Sequence, residues 1–417
     1  MRETQVEVLV AGAGPVGLWT ALVLAESGIE VILIDREART TARSYACAIH
    51  SSTLKQLDRL GLAQSVIERG RQIQKVAFYD GAARQAELNL AQAGGEFPFL
   101  VILPQSSLEN LLEQRLRAAG VRVYWNHRFE GMSCEEENVS ATIEELEGTS
   151  TGYVVPHWET VVRSRSTLRA QFIIGADGHN SMVRPRAGFE YQSFGELESF
   201  GAFEFESDTD TPDELRVVLG EDSTNVLWPI AERYYRWTFQ LLRSEVTPDF
   251  PDKERRSVRF AKADADERIR QYVERVAKQR APWFEAGVRQ VQWWAEVSFG
   301  RRLATPVGRD RCWLVGDAAH QTGPVGVQSM NGGFAEAEHL ATMMKRVLRE
   351  AGPIEALATY NSAQQNTWRT LLGAEGGLKA KGKAGPWVRA RSARILPCLP
   401  ALGADLDQLA GQIGLGF

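Results

Sequence analysis

Four cysteines in 417 residues, Cys47, Cys134, Cys312 and Cys398, fall without a Cys-x-x-Cys pair or Cys/His ligand spacing. Neither a disulfide framework nor a metal centre is therefore expected. No run of about 18 uncharged apolar residues occurs, so no membrane-spanning helix is expected. Positive charge is not in excess: 48 Lys and Arg stand against 53 Asp and Glu, for a net charge of −5. With no basic stripe to offset that balance, nucleic acid and acidic membrane surfaces are excluded as main partners. None of His50, His127 and His179 has a Ser, Cys or Asp partner at hydrolase spacing. Met1 to Gln5 carries both charge signs, and the apolar run after it breaks at a glycine turn, unlike a secretory leader. The cytoplasm is the expected compartment. No internal repeat is visible.

What the chain does have is three glycine-centred segments in one order: Gly12-Ala13-Gly14-Pro15-Val16-Gly17, then Gly175-Ala176-Asp177-Gly178, then Gly316-Asp317-Ala318-Ala319-His320. The first follows the apolar run Val6 to Val10 and opens the apolar stretch Val16 to Leu24, so it reads as strand, tight turn and helix. That is the context a dinucleotide fingerprint requires. Gly12 permits the turn, Gly14 lets the backbone approach a pyrophosphate, and Gly17 lets the helix pack on the strand, its N-terminus facing the anion. The next strand, Glu30 to Ile34, ends in Asp35, whose carboxylate is expected on the hydroxyls of an adenosine ribose. Arg36 beside it reads either as a partner of the adenosine phosphates or as a solvated surface arginine.

Helical patterning recurs at Ser51 to Leu60 and Ser106 to Ala119, with a short strand at Val121 to Trp125. Gly131 to Ser166 reads as a small β-meander before the strand Gln171 to Ile174, which runs into the second glycine segment. Between Glu190 and Ser298 the character changes. Gly201 to Glu206, Arg216 to Leu219, Val226 to Pro229, Tyr234 to Leu241 and Val291 to Phe299 read as strands of a separate antiparallel sheet, with a charged helix over Asp252 to Ala281. Trp228 and Trp237 lie on these strands and read either as core or as the lining of a pocket for a flat, apolar substrate. Buried-strand character returns at Cys312 to Asp317. A helix follows from Met330 to about Arg349, and the remainder is helical with breaks at Pro353, Pro386, Pro397 and Pro400.

This ordering resembles the group A flavoprotein monooxygenases, the para-hydroxybenzoate hydroxylase-like family. The third segment carries most of the likeness: after His320 come Gln321-Thr322-Gly323-Pro324, then Val325 to Ser329, in which Val327 and Ser329 stand where the family has glycines, then Met330-Asn331. The resemblance implies FAD as cofactor and NADPH or NADH as a transient reductant. It implies an α/β fold: a Rossmann-like, discontinuous FAD-binding domain (1–73, 99–187 and 296–350), an inserted antiparallel β-sheet substrate domain (74–98 and 188–295) and a helical C-terminal segment (351–417).

Site residues follow from the same resemblance. Gly316 and Asp317 belong at the ribityl chain of FAD, although an Asp there also serves as a helix cap. Asp177 and Gly178 form a turn serving both the FAD pyrophosphate and the nicotinamide cofactor, and Pro324 lies in the loop that follows Asp317. Backbone N–H groups near Met330 and Asn331 face the flavin pyrimidine edge, where a helix N-terminus favours the negative charge of the reduced ring. Gln105 contacts the flavin side of FAD. Arg43 takes a phosphate-binding role only if its loop is longer than the family's, the usual slot falling nearer Tyr45. His320 reads as a structural member of its turn, and no residue stands out as a catalytic base.

The implied activity consumes NAD(P)H and O2 and, through a flavin hydroperoxide, hydroxylates an aromatic or polycyclic small molecule, in a monomer or homodimer. No second strand-GxGxxG-helix unit follows Thr40, so the nicotinamide must visit the flavin transiently. A flavin-dependent halogenase, an FAD-dependent reductase and a non-catalytic flavin-binding protein remain alternatives. Of the halogenase pattern Gly-Trp-x-Trp-x-Ile-Pro the chain offers only Val226-Leu227-Trp228-Pro229-Ile230.

Overall fold

The computed structural model describes residues 5–40, 48–93, 95–151, 157–242, 258–260 and 267–417. The chain opens with β1 (Gln5–Ala11), α1 (Pro15–Glu26) and β2 (Val31–Ile34). It leaves for β3 (Lys75–Asp80) and β4 (Ala83–Asn89), returns through α2 (Gln105–Ala118) to the short β5 (Val123–Tyr124), then continues as β6 (His127–Cys134), β7 (Val139–Thr151) and β8 (His157–Gly175). A second excursion supplies β9 (Glu198–Glu206), β10 (Glu214–Leu219), β11 (Thr224–Ala231), β12 (Tyr234–Leu241), β13 (Val258–Phe260), α3 (Glu267–Arg280) and β14 (Gln290–Phe299). After β15 (Gly308–Arg309) and β16 (Cys312–Leu314) come α4 (Gln328–Arg349) and α5 (Ala358–Leu371).

The first sheet has the order β15-β16-β8-β1-β2-β5, and β16, β8, β1, β2 and β5 run parallel. A parallel sheet is covered on both faces, which is why β1 reads as an almost continuous apolar run. Helix α1 is apolar nearly all round because α2 and α4 pack against it. The expected meander is present as β6, β7 and β8, paired antiparallel in chain order, but its strands are longer than expected. The strand expected at Gln171 to Ile174 is only the inner end of the 19-residue β8, whose outer length pairs with β7 across a bulge at Glu145/Leu146. Ion pairs hold that arm together. Arg128 and Arg165 grip the buried Glu144 carboxylate and lower its pKa, Arg128 first.

The second sheet has the order β13-β14-β9-β12-β11-β10-β3-β4 and is antiparallel except where β10 meets β3. Side chains alternate between its faces with a period of two. Val76, Phe78, Leu215, Val217, Val226 and Trp228 join the core that lies under the first sheet. Phe203, Phe205, Tyr235, Trp237 and Phe239 face the other way and close a second core with Tyr272, Val273 and Val276 of α3. The helix expected over Asp252 to Ala281 needs correction: Val258–Phe260 is an edge strand on β14, and α3 runs from Glu267 to Arg280. Pairing covers the backbone of β14 that would otherwise form an open edge. The expected boundary between 295 and 296 falls inside β14. The C-terminal segment packs Leu357, Tyr360, Trp368, Leu396, Leu399 and Leu409 into the main core. Among the described residues no helix is long and apolar enough to cross a membrane.

Candidate cofactor and substrate site

The fingerprint turn is built by exclusion of side chains. Gly12 has φ +106°, and a Cβ there would sit 2.3 Å from the Ala176 carbonyl oxygen, so the first and second glycine segments touch. A Cβ on Gly17 would lie 1.9 Å from the Gly12 oxygen. Above Gly14, by contrast, a Cβ would meet nothing within 4 Å. Pro15 opens α1, and no side chain caps it. The free amide groups of its first turn face that open space, which is the arrangement that receives an anion.

Asp35 lies at the end of β2, where its Oδ2 accepts the Ala13 N–H and its Oδ1 accepts the Glu37 N–H at 2.8 Å. Each oxygen keeps a lone pair for a hydroxyl. Burial raises the pKa of this carboxyl, and the two N–H donors oppose that rise. Arg36 is largely exposed and lies 3.6 Å from Glu37. Arg43 and Tyr45 lie outside the described residues, as does Cys47.

At the end of β8, Asp177 Oδ2 accepts the N–H groups of Met182 (2.6 Å) and Val183 (3.2 Å) across the Gly178 turn. Its Oδ1 is buried without a hydrogen-bond partner, a costly state for a carboxylate oxygen and one that a ligand donor would relieve. Burial also pushes the Asp177 carboxyl pKa up. Arg36, Arg184 and Arg302 lie near enough to His179 to add to the lowering of its pKa by burial, against the opposing Asp317. Such a cationic rim suits phosphate oxygens. Arg184 donates to Ala318 O (2.8 Å) and His179 O (3.1 Å) and lies 3.6 Å over the Tyr191 ring, whose hydroxyl donates to Asp317 O at 3.3 Å. The second and third segments are thereby tied together.

The third segment brings Gly316, and Gly333 of α4, against Val16 of α1, so the starts of the two helices meet. Helix α4 begins at Gln328, ahead of the expected Met330, and has no side-chain cap. Its flanking residue, Val327, has φ 50°. A β-branched residue in the left-handed region is strained by about 1 to 3 kcal/mol, and it occupies a position where the family pattern has glycine. Asn331 helps hold it, donating to Val327 O (2.8 Å) and Ala48 O (3.0 Å) while its Oδ1 accepts the His50 N–H (2.9 Å). The Asn331 side chain is thus spent on the loop, leaving backbone N–H groups near Met330 to face outward from the helix start.

The C-terminal segment staples the same loop. Gly326 N–H donates to Pro397 O at 3.0 Å, and the Gln328 amide donates to Leu396 O (3.1 Å) and Leu399 O (3.2 Å). Pro324 is half-buried in the loop. His50 Nε2 lies 2.8 Å from Gly326 O, and burial pulls its pKa down to about 4. Gln105, at the first position of α2, donates to Glu109 Oε1 at 2.7 Å.

Two further residues around the third segment were given no role by sequence reasoning, Ser329 being noted only as a departure from a family glycine. The Ser329 hydroxyl donates to Asp317 Oδ1 and lies 3.1 Å from His320 Nδ1. Glu336 Oε1 is 2.7 Å from His320 Nε2, accepts the Trp368 indole N–H, and with Oε2 accepts the Gly316 N–H at 2.9 Å. The available signal was a lone carboxylate on the apolar stripe Phe334, Ala337 and Leu340 of α4.

Trp228 and Trp237 do not share a pocket. Trp237 pairs with Leu227 and stacks on Phe239, with ring centroids 5.0 Å apart, inside the core under α3. Trp228 is directly opposite Arg236 on the face continuous with the main core, and Arg236 is opposite Glu204, which is opposite Trp293. Directly opposed residues share a face. Arg236 and Glu204 form a nearly buried ion pair, Nε to Oε1 3.0 Å. Tyr234 donates to Glu204 Oε2 at 2.9 Å, and burial, then Glu204, push the phenol pKa up. Burying such a pair in an aromatic sheet is expensive unless it serves a purpose. A charged residue in the interior of the strand Tyr234 to Leu241 was the signal for it.

A family model described as an FAD binding domain matches residues 5–372. The para-nitrophenol 4-monooxygenase of Pseudomonas sp. (strain WBC-3) is 27% identical over 377 residues, covering 86% of this chain and 82% of that protein. The 6-methylpretetramide 4-monooxygenase of Streptomyces rimosus is 28% identical over 418 residues, covering 99% of this chain but 65% of its own length. The crystal structure of a p-nitrophenol 4-monooxygenase from Pseudomonas putida DLL-E4 superposes with a TM-score of 0.74 at 21% identity, covering 98% of this chain and 97% of that one.

Proposed function

The chain belongs to the FAD binding domain family and is a flavoprotein monooxygenase, and from that premise we propose that it hydroxylates a phenolic or polycyclic aromatic compound at the expense of NAD(P)H and O2. The observation that carries the placement of the cofactor is the meeting of two uncapped helix starts, α1 and α4, beside the unpartnered Asp177 Oδ1. Gly14 and the first turn of α1 would hold the pyrophosphate, Asp35 the adenosine ribose, Asp317 the ribityl chain, and the amides near Met330 the pyrimidine edge. Bound FAD supplies the redox and oxygen-transfer chemistry; the protein supplies position and a dry cavity.

The substrate would lie between the Trp228 face of the second sheet and the flavin. Arg236, Glu204 and Tyr234 give that face a polar handle for a phenol, and the half-buried Trp293 gives it flat apolar surface, backed by the buried Trp228. Para-nitrophenol and 6-methylpretetramide, named as substrates of the two relatives, are the compounds to screen first. The Trp-Pro-Ile of the halogenase alternative is a stretch of β11 whose indole is buried.

Anaerobic stopped-flow measurement of flavin bleaching by NADPH and NADH, with and without each phenol, tests the proposal. A true substrate should accelerate reduction by at least about tenfold, equivalent to about 1.4 kcal/mol of barrier, and should then be recovered hydroxylated in air. A yellow protein that neither speeds up nor hydroxylates any phenol of the panel would refute the substrate class.

A further inference from the structure

Behind Asp317 runs a buried chain of polar groups whose hydrogens can be counted. Glu336 is 2% exposed and His320 is 0% exposed. Both oxygens of Glu336 accept N–H groups, from Trp368 and from Gly316. An ionised carboxylate satisfies both contacts, since it accepts only. A bare lone pair on His320 Nε2, 2.7 Å from Glu336 Oε1, would face an ionised oxygen, and a proton on Nε2 removes that repulsion. At the other end, Asp317 Oδ1 takes the hydroxyl hydrogen of Ser329, and the remaining oxygen near that hydroxyl, His320 O, lies 3.3 Å away. A serine has one hydrogen to give. With it committed to Asp317, the contact of 3.1 Å between Ser329 Oγ and His320 Nδ1 can be a hydrogen bond only if Nδ1 donates.

We infer that His320 is a buried imidazolium, protonated on both ring nitrogens, and that through Ser329 it orients the Asp317 carboxylate for the hydroxyls of a flavin side chain. The surroundings of the ring fit a charge, and the stacking on Trp368 does so independently of the proton count. The contact with Glu336 is too far off axis to be a hydrogen bond, so Nε2 and the carboxylate are paired by charge alone. The ring also stacks on Trp368 with centroids 3.5 Å apart and planes 16° apart, an arrangement that attracts a cation. The groups facing the ring are Glu336, Trp368 and Ser329, with Asp317 beyond the serine. Between them they hold two carboxylates and one imidazolium, so one negative charge remains within the chain, on the half-buried Asp317 at the cofactor side, where Arg184 and Arg302 lie near. Ser329, His320 and Glu336 are positioning residues: they act on the cofactor through Asp317. The inference rests on the proposed flavin site for its purpose but not for its proton count.

Nitrogen NMR of the holoprotein labelled at its six histidines is the direct test, with His320 identified by the signal that moves in Ser329→Ala. Both ring nitrogens of His320 are expected to resonate as protonated at neutral pH. Release of FAD on dilution, followed by its fluorescence, is the second readout. Ser329→Ala should weaken FAD retention about tenfold, the effect of losing a hydrogen bond to a charged group, and Ser329→Thr, which keeps the hydroxyl, should restore most of it. A neutral ring pattern, or Ser329→Ala holding FAD as wild type does, overturns the inference. A wild-type chain that holds no FAD overturns the flavin site and the positioning role together, while the ring pattern still decides the protonation of His320.

Discussion

Gly14 and Gly17 are three residues apart in one turn, yet alanine at each should fail in a different way. At Gly17 the new Cβ would sit 1.9 Å from the Gly12 carbonyl oxygen and 3.2 Å from Ala176 Cβ. Helix α1 must retreat by roughly 1.5 Å to reach ordinary contact distance. Overpacking of this kind costs about 1 to 3 kcal/mol, and the gain from replacing a helical glycine returns up to about 1 kcal/mol. A net loss of about 1 to 2 kcal/mol in stability is expected, together with weaker FAD retention because the anion-facing turn has moved. At Gly14 the Cβ meets no protein atom within 4 Å. Stability should therefore change by no more than about 1 kcal/mol, since the cost of alanine for glycine at a helix N-cap is offset by the lower entropy of the unfolded chain. The methyl would instead occupy the space proposed for the pyrophosphate. Losing hydrogen bonds to that charged group at about 1.5 to 3 kcal/mol should weaken FAD binding by about 10- to 150-fold. Urea midpoints of the flavin-free proteins and the FAD absorbance retained after dilution separate the two effects. Gly14→Ala retaining FAD like wild type, or Gly17→Ala unfolding at the wild-type midpoint, would refute the reasoning.

Other outcomes follow from single side chains. His50 stays neutral in the folded chain until about pH 4, whereas the unfolded chain protonates it near 6.5, so its contribution to stability is full above pH 6.5 and falls away toward pH 4. The whole effect is worth about 3 kcal/mol, and the difference in urea midpoint between wild type and His50→Gln should change across that window and stay flat above it. Trp237→Ala empties a fully buried position in the second core and should cost about 3 to 5 kcal/mol, with no change in FAD absorbance per folded molecule; a raised KM at unchanged stability would show that this indole reaches substrate. Tyr234→Phe should cost about 1 kcal/mol of stability and raise KM for a phenolic probe at constant FAD content. Val327→Gly should be neutral or stabilising within about 1 kcal/mol, since relief of strain offsets the lost side chain; a loss above about 2 kcal/mol would show that the valine packs more than it strains.

The parts of the molecule legible in the sequence are those whose geometry is local. Gly12, Gly14, Gly17 and Asp35 declare strand, turn, helix and ribose-side carboxylate within a few turns of chain, and the structure builds those elements over nearly the expected residues. Strands β9 to β12 were visible for the same reason, since each carries its own alternation. Facing was harder. Trp228 and Trp237 belong to neighbouring strands, and only the register Leu227↔Trp237 shows that their side chains point opposite ways. The edge strand Val258–Phe260 sits in a charged stretch that imitates a helix, and pairing with β14 decides its form. Partnerships such as Glu204–Arg236 and His320–Glu336 depend on which strands and helices become neighbours, which no local pattern records.

The carbonyls of Leu396, Pro397 and Leu399, three residues without a functional group among them, grip Gly326 and Gln328 at the flavin-side loop. Because those grips are made by backbone, substitutions in the tail can shift the loop without altering a motif residue. The tail is therefore a means of adjusting that loop, and a directed-evolution library confined to residues 386–403 can do so while the cofactor fingerprint stays untouched.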